Sequence, residues 1–197
     1  MIEKAGIEDA ASFANLHYKT ITEGFLSKLG LSFLKSLYSF LVKTELVLVY
    51  KKEERILGFV SCSINSEDMM KRFVFLNPAG LLKILWRLVR KPSIIIPLFE
   101  TYCAPVKSKN TSEKQILPVT ELLSISVDTS AQKGNIGTQL LYSLEEELRN
   151  RGIKKYKVVA GESLIGANKF YLKNGFVLAT RIAIHGDSLS NVYTKEL

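Results

Sequence analysis

The sequence predicts a mixed α/β protein built in layers around one sheet. Three observations carry that expectation: two amphipathic helical patterns near the N-terminus, a pair of apolar runs joined by a charged turn, and a second half that alternates strand and helix patterns.

Ile2–Lys4 reads as a short first strand. Behind Glu8 and Asp9, which suit a helix N-terminus, Ile7, Ala10, Ala11, Phe13 and Ala14 recur on a helical period and predict a helix over residues 7–16. Gly24 breaks the pattern, and Leu29, Phe33, Leu37 and Leu41 then predict a second helix with an apolar stripe. Leu46–Tyr50 and Ile56–Ile64 flank the turn KKEER and read as a hairpin. The stretch from about Asn65 to Pro118 is too long for an ordinary connection and reads as a structured insertion. Inside it Leu81–Val89 is apolar, Lys83, Arg87, Arg90 and Lys91 share one helical face, and Lys107–Gln115 reads as a loop. Glu121–Val127 is the next strand, and Ile136, Leu140, Leu141, Leu144 and Leu148 mark a helix ended at Asn150–Gly152. A strand at Lys157–Ala160, a helix at Ala167–Lys173 stopped by Asn174–Gly175, and a hairpin of Phe176–His185 with Asn191–Glu196 complete the order. One domain over residues 1–197, with a helical insertion at about 65–118, accommodates all of it.

An apolar fraction of 47% is enough for a substantial core. The net charge of +8 points to an anionic partner without choosing among nucleic acid, membrane surface and phosphorylated small molecule. The lysines are scattered and no recognition motif accompanies them, so nucleic acid is not expected. Cys62 and Cys103 form no CxxC, and His17 and His185 are isolated, so neither a metal centre nor a disulfide framework is expected, and the histidines read as ordinary surface or partly buried residues. MIEKAGIEDA carries acidic residues and no apolar run, so no targeting signal is expected and a reducing cytoplasm is the anticipated compartment.

The segment SISVDTSAQKGNIGTQLL runs from strand through a Gly-containing turn into a helix. Helix N-termini present unpaired backbone N–H groups and partial positive charge, which suits a pyrophosphate. Gly134 and Gly137 lack Cβ atoms, which favours a tight turn and close approach of phosphate oxygens, and Lys133 adds a charge. A two-glycine turn before a helix also arises for packing alone. Neither GxGxxG nor a GxxxxGK[ST] P-loop is present.

Residues VDTSAQKGNIGTQLL resemble motif A of the GNAT N-acetyltransferase superfamily, whose turn Q/R-x-x-G-x-G/A binds the pyrophosphate of acetyl-CoA. Gln132 takes its first position and Gly137 its last, while Asn135 stands where the family has its first Gly. Asn tolerates a left-handed backbone best among non-glycine residues. AGESLIGANKFYLKNGF is similar to motif B, with Ala167, Phe170, Tyr171, Gly175 and Phe176 in register and Leu164 in place of the usual Asn. The resemblance implies a mostly antiparallel sheet with helices on both faces, and acetyl-CoA as acyl donor without a metal. It implies cofactor contacts at Ile125, Ser126 and Val127 through the backbone, and at Gln132, Lys133, Gly134, Asn135, Ile136, Gly137 and Thr138 around the phosphates.

The resemblance implies Tyr171 as general acid to the departing thiolate, with an aromatic packing role as the alternative. It also implies a backbone N–H near Val127 as oxyanion donor. Glu121 stands six residues before Val127, and even spacing on a strand would put both side chains on one face, which makes Glu121 a candidate base. Glu23 and Glu162 are weaker candidates. The expected acceptor is a small-molecule primary amine. GFLSKLGLSFLKSLY resembles a bacterial subgroup of the family linked to surface polysaccharide synthesis, which implies a nucleotide-linked amino sugar. A protein or peptide amine, and a CoA-binding regulatory module without catalysis, remain alternatives. The basic face and Trp86 of Leu81–Lys91 leave three readings: packing on the sheet or in a homodimer, an anionic-acceptor site, and peripheral contact with anionic membrane.

Overall fold

The computed structural model describes residues 1–22, 25–76, 117–185 and 188–197. The Leu81–Lys91 helix, the Lys107–Gln115 loop and Glu23 lie outside them. Strand β1 (Ile2–Lys4) leads through a 3-10 turn, Ile7–Asp9, into α1 (Ala10–Thr20), then α2 (Phe25–Lys28) and α3 (Leu31–Thr44). The hairpin β2 (Leu46–Lys52) and β3 (Arg55–Ser63) precedes α4 (Ser66–Leu76), which opens the anticipated insertion. After β4 (Glu121–Val127) come a 3-10 segment, Thr129–Gly134, and then α5 (Ile136–Asn150), β5 (Lys155–Gly161), α6 (Ile165–Lys173), β6 (Val177–His185) and β7 (Ser188–Glu196).

The strands form one sheet in the order β1-β2-β3-β4-β5-β7-β6, antiparallel except between β4 and β5. Helices cover both faces, as expected. On one face Leu140, Leu141, Leu144 and Leu148 of α5 are wholly buried against Leu48, Val60, Leu122 and Val158. Burying one such leucine contributes about 1.5–3 kcal/mol. On the other face Phe13 and Ala14 of α1, Leu34, Leu37, Tyr38 and Leu41 of α3, and Met69 and Phe73 of α4 pack on Val47, Val49 and Phe59. Alternation in β2 thus feeds two cores, which explains why its sequence reads as a continuous apolar run.

Helix α5 ends where Gly152 takes φ of 73°, with Gly152 N–H donating to Arg149 C=O and Ile153 N–H to Leu148 C=O. This is the glycine stop that the sequence announces. α2 has no counterpart in the sequence reading, because four residues are too few to show a period. Among the described residues no helix is long and apolar enough to cross a membrane.

Candidate active site

β4 and β5 pair only through Glu121 with Lys157 and Leu122 with Val158. Beyond Leu122 the strands part, and residues 123–127 border a gap in the middle of the sheet. A β-bulge lies at the same point: Cys62 pairs with Leu122 and Ser61 with Ser124, so Leu123 has no opposite residue. Such a bulge bends its strand, here at the apex of the gap.

The bulge also resets which face each β4 side chain takes. Leu122, Ile125 and Val127 pack with the α5 core, whereas Leu123 joins the α1 core and Ser124 and Ser126 bond to Tyr38 and Thr20. Glu121, next to Leu122 and ion-paired to Lys157 at 3.5 Å, is on the α1 face. The expectation that Glu121 and Val127 share a face therefore fails, because the inserted residue shifts the parity. Glu121 instead stands at the apex of the gap.

Backbone direction separates the residues expected to meet a cofactor. Asp128 N–H donates to Leu57 C=O at 2.8 Å, and alternation from there turns the backbone of Ser126 toward β3 and that of Ile125 and Val127 toward the gap. Ile125 and Val127 thus offer unpaired edge groups, and Ser126 does not. The expectation of a backbone contact at Ser126 is corrected accordingly: its amide is already spent in the ladder.

The gap opens toward the start of α5. Asn135 takes the left-handed conformation, φ 55° and ψ 18°, as its residue type allows. It makes no side-chain cap, and the first helical bond is Gln139 N–H to Asn135 C=O at 3.1 Å. The N–H groups of Ile136, Gly137 and Thr138 consequently have no partner within the helix. Gly134 and Gly137 are not left-handed, and a methyl on them would meet its nearest atoms at 3.6 Å (Ile136) and 3.4 Å (the Phe170 ring). Asn135, not a glycine, makes the tight turn, and neither glycine is demanded by packing. Asp128 steadies the segment: its carboxylate accepts from Ser130 N–H at 2.9 Å and Ser130 Oγ at 2.6 Å, which, with Arg55 nearby, holds its pKa down. The sequence D-T-S carries this Asx-turn signal, and the sequence reading missed it. Gln132 and Lys133 belong to the 3-10 segment by backbone, and their side chains lie outside the described residues.

Tyr171 sits in the last turns of α6, which Gly175 closes with φ of 84°. Gly175 N–H donates to Leu172 C=O and Phe176 N–H to Tyr171 C=O, while the Tyr171 and Phe176 rings pack at 5.3 Å. The pattern of Tyr followed by Gly-Phe is thus a helix stop whose hydrophobic clasp uses Tyr171 itself. Phe170 at 5.5 Å and Tyr193 at 6.1 Å complete the surround, and burial pushes the phenol pKa up. Its hydroxyl is not among the fully buried side-chain atoms that lack a partner, which are His17 Nε2 and Ser63 Oγ among the described residues. Asn168 anchors the start of α6: its Nδ2 donates to Gly161 C=O at 2.9 Å and Leu164 C=O at 2.8 Å, and its Oδ1 accepts from Asn191 and Tyr193. Leu164, in the place of the usual Asn, only precedes the helix. Glu162 pairs with Arg181 at 3.7 Å on the surface.

The α1 face of the gap is polar. His17, expected at the surface or partly buried, is 2% exposed, and its Nδ1 lies 2.6 Å from Tyr38 Oη, itself 2.9 Å from Ser124 Oγ. Burial lowers its pKa to about 4. One turn on, Thr20 Oγ1 lies 2.6 Å from Ser126 Oγ. Among the described residues there is no group of three or more His, Cys, Asp or Glu side chains placed to hold a metal ion.

Residues 110–176, which hold both β4 with its turn and the Tyr171 helix, match the acetyltransferase (GNAT) family. No curated protein matches the sequence. Among solved structures, an N-acetyltransferase from Staphylococcus aureus Mu50 is similar with TM-score 0.64 and 18% identity, covering 99% of this chain and 100% of that one. The PaiA N-acetyltransferase from Thermoplasma acidophilum, solved in complex with coenzyme A, gives TM-score 0.57 and 14% identity over 100% of this chain and 98% of that one. The ribosomal-protein-S18-alanine N-acetyltransferase from Escherichia coli gives 0.60 and 13%, over 100% and 92%. Residues 110–176 thus match the acetyltransferase (GNAT) family, and the chain as a whole shares the fold of these solved acetyltransferases.

Proposed function

We propose that this protein transfers the acetyl group of acetyl-CoA to a primary amine, with the gap between β4 and β5 as the cofactor site. The observation that carries the reading is the continuity of two open hydrogen-bonding surfaces: the uncapped N–H groups of Ile136, Gly137 and Thr138, and the outward backbone edge of Ile125 and Val127. The first suits a pyrophosphate. The second suits the amides of pantetheine, which would pair with β4 where β5 has parted from it. Gln132, Lys133, Gly134 and Asn135 border the phosphates in this reading.

In the reaction a neutral amine attacks the thioester carbon, a C–N bond forms, the C–S bond breaks, and the amine loses a proton. A backbone N–H of the Ile125–Val127 edge stabilises the oxyanion. Tyr171 donates its proton to the departing thiolate and regains one from solvent. Its raised pKa does not oppose this, because a thiolate in the same apolar surround is equally short of solvation. Glu121, at the apex of the gap, takes the amine proton through water.

A small-molecule amine is the expected acceptor, with a nucleotide-linked amino sugar first among candidates from the Gly24–Tyr38 resemblance. The similar fold of a ribosomal-protein-alanine N-acetyltransferase adds peptides beginning with Ala. Acetyl-CoA binding by calorimetry, followed by thiol release with amino sugars, polyamines, amino acids and such peptides, tests the reading. Binding without release on every amine would leave a CoA-binding module, and no binding would remove the cofactor site.

A further inference from the structure

The gap has two chemically different lips. Past the bulge, the β4 side chains on the α5 face are Ile125 and Val127, and those on the α1 face are Ser124 and Ser126. The phosphate turn and Tyr171 lie on the α5 side. The lip facing α1 is where a polar nucleophile would find partners.

Proton direction on that lip can be worked out at Ser126. Thr20 Oγ1 lies 2.7 Å from Leu16 C=O, which can only accept, so the single hydroxyl proton of Thr20 goes there. The 2.6 Å contact between Thr20 and Ser126 must then have Ser126 as donor. Ser126 has no second proton. Ser126 is 5% exposed, its oxygen has lone pairs alone to offer, and its backbone is engaged with β3. An acceptor-only oxygen beside the gap suits an N–H of a neutral amine and disfavours a carbonyl or carboxylate.

Resting on the acetyl-transfer reading, we propose that Ser126 Oγ positions the incoming amine from the α1 face by accepting one of its N–H groups, and that Thr20 sets this polarity by taking the Ser126 proton. Thr20 touches no reactant and acts as a positioning residue. Held with one N–H on Ser126, the nitrogen lone pair is left free to point at the thioester carbon.

The test is Thr20→Val, which keeps the shape and removes the oxygen that Ser126 donates to, with Thr20→Ser as the conservative rescue and Ser126→Ala as the direct deletion. Acetyl-CoA binding is measured by calorimetry, and acetyl transfer to hydroxylamine and to an Ala-initiated peptide is followed by thiol release. A freed Ser126 proton competes with the amine, so Thr20→Val and Ser126→Ala are expected to raise the amine KM about three- to tenfold, the worth of one hydrogen bond, with acetyl-CoA affinity unchanged. Thr20→Ser restores the parent value. An unchanged amine KM in folded Thr20→Val, or equal loss in the Val and Ser variants, overturns the inference while acetyl transfer stands. Absence of acetyl-CoA binding and transfer in the parent protein overturns the reading beneath it.

Discussion

Replacing Tyr171 with Phe separates the proposed acid role from ring packing, because the first rests on the hydroxyl and the second on the ring. The ring packs on Phe170, Phe176 and Tyr193, and all of that apolar contact survives in Phe. The hydroxyl is held in a residue only 6% exposed. The hydroxyl oxygen is not among the fully buried atoms that lack a partner, so it keeps an exit to solvent, and deleting it should leave stability within about 1 kcal/mol of the parent. Turnover should move the other way: loss of a positioned general acid lowers kcat by about 10²-fold or more, which is about 2.7 kcal/mol of transition-state stabilisation. Urea unfolding gives the first quantity, and thiol release at saturating acetyl-CoA and amine gives the second. Parent-like turnover refutes the acid role. A loss of more than about 1 kcal/mol in stability would show that the hydroxyl has a structural partner, and the reasoning from its exit to solvent would fail.

Other outcomes follow from the same geometry. His17 titrates near 4 when folded and near 6.5 when unfolded, so between those values the unfolded chain binds more protons. Stability is full above about pH 6.5 and falls by up to about 3 kcal/mol as pH drops toward 4; urea midpoints for parent and His17→Phe should converge in slope above that window and diverge within it, and parallel pH profiles would contradict the assignment. Asn135→Gly removes a left-handed non-glycine residue and should stabilise by about 0.5–1 kcal/mol in thermal melts, with acetyl-CoA affinity kept. Gly137→Ala should fold as well as the parent, since the added methyl meets the Phe170 ring at 3.4 Å, yet bind acetyl-CoA about tenfold more weakly by calorimetry because it crowds the phosphate N–H groups. Glu121→Gln should lower kcat with little change in acetyl-CoA affinity, and an unchanged kcat would remove Glu121 from the proton path.

The sequence by itself determined the helices and strands whose periods are long or whose ends are chemically marked. The four leucines of α5 and the glycines after α5 and α6 specify those elements because side-chain spacing and left-handed backbone are local properties. The turn around Asn135 was legible for the same reason, whereas the packing of Tyr171 on Phe176 was not. Tertiary structure alone decided what the site is made of. The bulge at Leu123 depends on how β3 and β4 pair, and no local pattern in Glu121–Val127 reveals it; it moved Glu121 off the face of Val127 and placed Ser124 against Tyr38 of α3 and Ser126 against Thr20 of α1. The parting of β4 from β5, the burial of His17 and the donation from Ser126 to Thr20, 106 residues apart, likewise exist only once distant segments meet. A strand's sequence sets which residues alternate, and its neighbours set where that alternation slips.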